Sequence, residues 1–340
     1  MKILLSRYLI PLLSILILFT LTGCPQPPGE NGNGQSQPLP SGTDDLIKIL
    51  GERLHPNRID AIQALVAKGE EAVQPLILSM TTSDDTRQGA SQALTGIGKP
   101  AVPALIEALK SPEWQVRYGV IEALKGIGPD ASDSVRPLLT AFGVSRDLNE
   151  RVAIMYALAA IAPSGNDTLG LLQTALLVSE FRNYSLKVLG EIGPGASPVV
   201  PRILTYIEDP DTQTRCEVIS ALGGIGPLEG VVTAIAGRLK DSEDRVKIEA
   251  ADTLGSFGLA AAGAASGLAG ALKDTEPEVR KAAARASRNP RGRVSGSNPR
   301  LLRFRPFGGR ENGHSARRSG FLELPGKRCR FAQPPVYHED

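Results

Sequence analysis

The feature that most constrains this chain is a motif of about thirty residues that recurs eight times. Each copy opens on a basic residue. Small or apolar residues follow at positions three and six, Leu at seven in every copy but the last, and usually Ile at ten and Gly at eleven. The opening residues are Arg58, Arg87, Arg117, Arg151, Arg182, Arg215, Lys247 and Arg280. A period of this length is typical of solenoids, in which each copy packs only against its neighbours.

One copy predicts two helices. Positions three, six, seven and ten lie on one face of an α-helix, and in the second copy that face carries Ala90, Ala93, Leu94 and Ile97. Gly98 ends the helix, and a second apolar segment follows at residues 101–109. Stacked helix pairs bury the apolar faces that a lone pair would expose. The predicted fold is therefore all-α, a right-handed α-solenoid of about eight stacked helix pairs.

The copies resemble HEAT-like repeats of the short type found in phycobilin lyases. The resemblance is fullest at residues 113–128, EWQVRYGVIEALKGIG, where an acid, Val-Arg, Ala-Leu and Ile-Gly occur in order. It covers residues 44–286. The resemblance implies a fold of stacked helix pairs, but it does not indicate one particular function. One activity that it implies is a lyase- or chaperone-like action on a bound chromophore.

The amino end has the layout of a secretory signal peptide. Residues 1–24 place two basic residues before an apolar run that ends in LTGC. This ending resembles the lipobox of bacterial lipoproteins, which implies lipidation of Cys24 and a cell-envelope protein facing the periplasm or the exterior. The alternative is an uncleaved anchor with an incidental cysteine. Residues 25–43 are rich in Pro, Gly, Asn and Gln, which predicts a flexible tether.

The eighth copy breaks off inside its motif. Ser287 stands where Leu is due, and Arg, Gly and Pro then follow without an apolar period. Residues 44–286 carry 24 Lys and Arg against 31 Asp and Glu, whereas residues 287–340 carry 12 against 4. The terminal segment is interpreted either as a basic, disordered tail or as out-of-frame translation, which the position of the break favours. We therefore expect a frayed helix near Glu278 and a partly exposed apolar face on copy seven.

The sequence offers little material for catalysis. Its three cysteines, Cys24, Cys216 and Cys329, form no CxxC pair, and it has only three histidines. No catalytic residue, metal site or cofactor is predicted, and Cys216 is interpreted as a small helix residue. The net negative charge of residues 44–286 argues against a nucleic-acid partner.

The repeated basic residues allow two interpretations. They pair with acids of the neighbouring layer and fix the register, which is favoured, or they form a binding stripe. Trp114, the only tryptophan, either packs between helices or contacts a partner. Tyr118 and Tyr184, with Tyr156, fall near the same position in three copies and are candidate partner contacts.

These observations favour a non-enzymatic scaffold. It would be tethered to a bacterial membrane by lipid at Cys24 and would present its solenoid surface to a protein partner.

Overall fold

The structure, a computed structural model, describes residues 39–289. Every regular element in this range is a helix, and no strand occurs within it. The predicted signal peptide, Cys24, most of the predicted tether and residues 290–340 lie outside the described residues. The expectations for those segments therefore stay predictions.

Sixteen α-helices follow one another between residues 39 and 289. They are α1 (Thr43–Leu50), α2 (Arg58–Lys68), α3 (Glu70–Ser79), α4 (Asp84–Ile97), α5 (Val102–Ala108), α6 (Trp114–Ile127), α7 (Val135–Val144), α8 (Leu148–Ile161), α9 (Asn166–Ala175), α10 (Ser179–Ile192), α11 (Val200–Leu204), α12 (Thr212–Ile225), α13 (Val231–Gly237), α14 (Asp244–Phe257), α15 (Ala265–Ala271) and α16 (Pro277–Ser287). Short 3-10 segments lie at Lys99–Ala101, Gly128–Ser134, Gly193–Val199, Arg238–Lys240 and Gly258–Ala264.

The helices form two series. The even-numbered helices, α2 to α16, carry the repeated basic residues and are called A helices; the odd-numbered helices, α3 to α15, are called B helices. Each A helix packs against the next A helix and against the B helix before it, and α1 covers the first pair. The predicted all-α solenoid of stacked helix pairs is confirmed.

The periodic positions form the core between the pairs. In α12, for example, Val218, Ala221 and Leu222 are three, six and seven residues after Arg215, and all three are buried. Glycine then ends six of the A helices with a positive φ, as at Gly226 with φ 117°. Ala162 takes this place in the fourth copy with φ −139°, so the helix ends there without a left-handed residue.

Small residues let successive A helices approach closely. A Cβ added to Gly224 of α12 would collide with the backbone of Gly190 in α10, and one added to Gly190 would lie 3.0 Å from the Cα of Ala221. The glycines thus set the distance between these layers because any larger side chain would push the backbones apart.

One expectation from the sequence was wrong. Helix α16 is not frayed near Glu278, because Val279, Ala282 and Ala283 are fully buried against copy seven before the motif breaks at Ser287. Copy seven nevertheless has a partly exposed apolar surface, as expected, since Leu259 and Leu272 are 76% and 42% exposed.

The segment Asp244–Ala271 is long and apolar enough to span a membrane, with a mean hydropathy of 1.3. It is nevertheless two helices of the seventh copy. Gly258, with φ 58°, separates α14 from the turn that leads into α15. Val246, Ala250 and Leu254 are buried against neighbouring helices, so we assign the segment to the repeat array.

Candidate interaction surface

The repeated arginines bind the turn that precedes their own helix. In five copies a guanidinium N–H donates to a carbonyl oxygen in that turn or, for Arg58, in the last residue of the helix before it. The bonds are Arg58 Nε to Leu50 (3.2 Å), Arg117 Nη1 to Ser111 (3.0 Å), Arg182 Nε to Leu176 (3.1 Å), Arg215 Nη1 to Asp209 (2.9 Å) and Arg280 Nη1 to Asp274 (2.7 Å). The arginine therefore ties the entry turn of a copy to the first turns of its A helix.

Five of the repeated basic residues also reach the next copy: Arg58 Nη2 donates to the Asp85 carbonyl oxygen at 3.1 Å, and four others form ion pairs. The ion pairs are Arg117 with Glu150 (2.8 Å), Arg182 with Asp209 (3.3 Å), Arg215 with Asp241 (2.9 Å) and Lys247 with Asp274 (3.2 Å). Each acid precedes or begins the following A helix. In this geometry these side chains are engaged within the array and are not free for a ligand.

Three arginines stack on aromatic rings: Arg182 lies 4.6 Å from the ring centroid of Tyr206, and two others contact two rings each. The guanidinium of Arg151 lies between Phe142 and Phe181, at 4.3 and 4.6 Å from the ring centroids. Arg87 lies 5.3 Å from the ring of Trp114 and 5.8 Å from that of Tyr118. Cation–π attraction supports all three arrangements. The sequence did not reveal Phe142 and Phe181 because they come from α7 and α10 and meet Arg151 only through tertiary packing.

The three aromatic residues that the sequence suggested as partner contacts lie at two separate positions on the array. Trp114 and Tyr118 lie together on α6 through their shared contact with Arg87, whereas Tyr184 lies half-buried on α10. Trp114 is 55% exposed. Burial, and then the charge of Glu122, raise the pKa of the Tyr118 phenol, which stays protonated at neutral pH.

A groove of about 590 Å³ opens beside this aromatic pair. We call it the α4–α6 groove, since those helices supply most of its lining. Arg53 joins it from the turn between α1 and α2. The lining side chains include Arg53, Asp85, Gln88, Gln92, Tyr118 and Glu122.

In a comparison with known families, the family described as HEAT repeats matches residues 75–159, which run from α3 to α8. These residues resemble HEAT repeats, and the stack of helix pairs is called the HEAT-like array below. No curated protein matches it in sequence.

Several solved structures resemble the HEAT-like array. An engineered protein is 21% identical, covers 73% of this chain and 78% of its own, and has a TM-score of 0.38. The complex of CpcE and CpcF of phycocyanin lyase from Nostoc sp. PCC7120 is 19% identical, with coverages of 77% and 98% and a TM-score of 0.34. A designed armadillo repeat protein in complex with the peptide (KR)4 is 18% identical, with coverages of 72% and 99% and a TM-score of 0.28. Such low scores transfer no partner to this chain.

The described part of the HEAT-like array holds no group of three or more His, Cys, Asp or Glu side chains that could bind a metal. Cys216 is buried in α12, and burial is the main cause that raises the pKa of its thiol. A protonated, buried thiol is a poor nucleophile, which agrees with a packing role.

Lowering the pH should destabilise the HEAT-like array through Asp241. Burial alone would raise the pKa of this carboxyl, but hydrogen bonds from Arg215 and from the Glu243 N–H outweigh burial and lower it. Asp241 therefore stabilises the fold above the unfolded pKa of about 3.9, and this contribution is lost as the pH falls through the lower folded pKa. Urea unfolding between pH 7 and pH 3 measures the effect. Asp241→Asn should show a weaker pH dependence; an equal dependence would contradict the assignment.

Proposed function

We propose that this HEAT-like repeat protein is a membrane-tethered interaction scaffold without enzymatic activity. The observation that carries the proposal is the exposed aromatic surface of α6. Trp114 is more than half exposed, although it is the largest apolar side chain in the sequence, and Tyr118 lines an open groove beside it. An exposed tryptophan next to a half-buried tyrosine at the wall of a groove is typical of the residues that dominate protein–protein binding.

The contacts of the basic residues support a preorganised surface. Arg117 and Arg215 each join an entry turn, an A helix and the next copy. A surface held in this way loses little conformational entropy when a partner binds, so more of the interaction energy appears as affinity.

The membrane tether rests on the sequence. Cys24, at the end of the lipobox-like motif, would carry the lipid. Segment 25–43 contains few apolar residues and would act as a flexible spacer between the membrane and the array. Each buried CH₂ contributes about 0.8 kcal/mol, so two or more acyl chains hold a protein firmly.

Replacing the proposed lipid site tests the tether. Cys24→Ser should abolish the incorporation of fatty acid into the protein, because no acyl chain can then be attached. Metabolic labelling of cells with a palmitate analogue, followed by purification of the array, measures this. Labelling of the variant equal to that of the wild type, or no labelling of the wild type, would contradict lipidation at Cys24.

Affinity purification tests the scaffold. The tagged full-length protein should recover a protein partner from envelope extracts, and the double variant Trp114→Ala, Tyr118→Ala should recover much less. Leu78→Ala is the matched control, because Leu78 is 73% exposed on the B helix α3. Reproducible failure to recover any protein, or equal recovery by all variants, would count against the proposal.

A lyase- or chaperone-like function is the alternative, which the resemblance to the phycobilin-lyase repeats suggests. It predicts that the purified protein binds a chromophore and shows a visible absorption band. Absorption spectra of the tagged protein distinguish the two functions.

A further inference from the structure

We propose that the guanidinium of Arg151 binds an acidic side chain of the partner, an aspartate or glutamate that stands between apolar residues. This inference rests on the proposed scaffold function and adds one partner chemistry to it. Three observations carry it. The Arg151 guanidinium has no acceptor within the described array, the next copy lacks the acid that would pair with it, and exposed apolar side chains border it.

Arg151 is the exception among the eight repeated basic residues. Within residues 39–289, each of the other seven side chains forms an ion pair or donates to a carbonyl oxygen, whereas the Arg151 guanidinium does neither. Only its Nε is both buried and without an acceptor, so its two Nη atoms reach solvent. Stacking on the rings of Phe142 and Phe181 attracts the charge but leaves the N–H donors in the guanidinium plane without acceptors.

The copy that follows Arg151 does not supply the acid that other copies supply. In four copies an acid near the start of the A helix pairs with the basic residue of the copy before. These acids are Asp209, Asp241 and Asp274, each six positions before the basic residue of its own copy, and Glu150, one position before it. In the fifth copy the same two positions hold Leu176 and Phe181, and both side chains are buried. A carboxylate from a partner would therefore complete at Arg151 a pairing that the array completes by itself elsewhere.

The charged groups closest to Arg151 in the chain do not neutralise it. Glu150 is already paired, and the Asp147 carboxylate accepts the Glu150 N–H as the cap of α8. Arg146 and Glu180 are both exposed and have opposite charges, so together they add no net charge. The guanidinium of Arg151 thus keeps a positive charge that attracts an anion.

Exposed apolar side chains border Arg151. Val144 is 78% exposed at the end of α7, and Leu177 and Val178 are 56% and 44% exposed in the turn before α10. The two rings that contact Arg151 belong to these same helices. Trp114 begins α6, which packs against α8 at the spacing of about 8–10 Å typical of adjacent helices. One partner segment with apolar residues on both sides of an acid can therefore contact these side chains together, and its carboxylate can pair with the guanidinium in bidentate fashion.

Two peptides test the inference on the full-length protein. One carries Glu between two Leu residues and the other carries Gln at the same place. Both have an amidated carboxy end and a fluorescent label without a carboxylate, and anisotropy at low ionic strength measures their affinity. The Glu peptide should bind about tenfold more tightly than the Gln peptide. Because residues 44–286 carry more acids than bases, the general field of the array cannot produce this preference.

Two variants assign the preference to Arg151. Arg151→Gln should lower the affinity for the Glu peptide to that for the Gln peptide. The matched control is Arg136→Gln, which makes the same change of charge at an exposed arginine in the first turn of the B helix α7 and should leave the affinity unchanged. Circular dichroism verifies that both variants are folded, and the comparison of the two peptides on the wild type does not depend on either variant.

Equal affinity of the two peptides for the wild type, absence of binding by both, or equal losses in the two variants would overturn the inference. The pull-down keeps the two proposals distinct. If Arg151→Gln recovers the partner as well as the wild type and the double variant Trp114→Ala, Tyr118→Ala does not, the scaffold stands and the Arg151 inference fails. If the double variant also recovers the partner as well as the wild type, the proposed function fails.

Discussion

Replacing Arg215 with Ala should lower the free energy of unfolding by about 3 to 5 kcal/mol, the cost of breaking a buried ion pair. Arg215 and Asp241 are 9% and 4% exposed, and two nitrogens of the guanidinium bond the two carboxylate oxygens at 3.1 and 2.9 Å. The same guanidinium donates to the carbonyls of Asp209 and Pro210. Truncation therefore leaves a buried carboxylate, for which Arg238 at 3.6 Å compensates only in part.

Urea unfolding followed by circular dichroism measures this loss. The matched control is Arg285→Ala, which removes an arginine that pairs with Asp252 between α16 and α14. Both of these side chains are nearly half exposed, so the control should cost at most about 1 kcal/mol. Equal losses in the two variants would show that Arg215 does not hold its layers together.

Replacing Gly224 with Ala should lower the free energy of unfolding by about 2 kcal/mol, although alanine is the better helix former. The added Cβ meets the backbone of Gly190, which cannot move aside as a side chain could. Helices α10 and α12 must separate, and the buried residues between them lose contact. Thermal and urea unfolding measure the change.

Gly170→Ala provides the matched control. Gly170 is an exposed position within α9, and a Cβ there would have no atom within 4 Å. The same substitution should therefore raise the free energy of unfolding by about 0.5 to 1 kcal/mol. Changes of the same sign at both positions would contradict close packing between α10 and α12.

The repeat period predicted the fold because each copy contains its own helix signals. Offsets three, six and seven from the basic residue gave the buried face, and glycine at offset eleven gave the helix end. The prediction from the sequence was wrong at α16, because Ser287 stands at the Leu position of the motif and suggested that the helix would fray. Helix formation there depends on Val279, Ala282 and Ala283, which precede the break and bury against copy seven.

The candidate site was less predictable because it combines distant parts of the chain. Trp114 and Tyr118 stand out in the sequence, but their contact with Arg87 requires α4 and α6 to pack in register. The groove adds Arg53 from a third element. No local pattern links these residues. Trp114 and Tyr118 lie 27 and 31 positions after Arg87, and Arg53 lies 34 positions before it.

Site-specific photo-crosslinking in living cells tests the central claim that the A helices present the binding surface. A photoreactive phenylalanine analogue is placed at Trp114 on α6 in one protein and at Leu78 on the B helix α3 in another; both positions are more than half exposed. We predict a discrete protein adduct from position 114 and none from position 78. An adduct only from position 78, or none from either position, would contradict the claim.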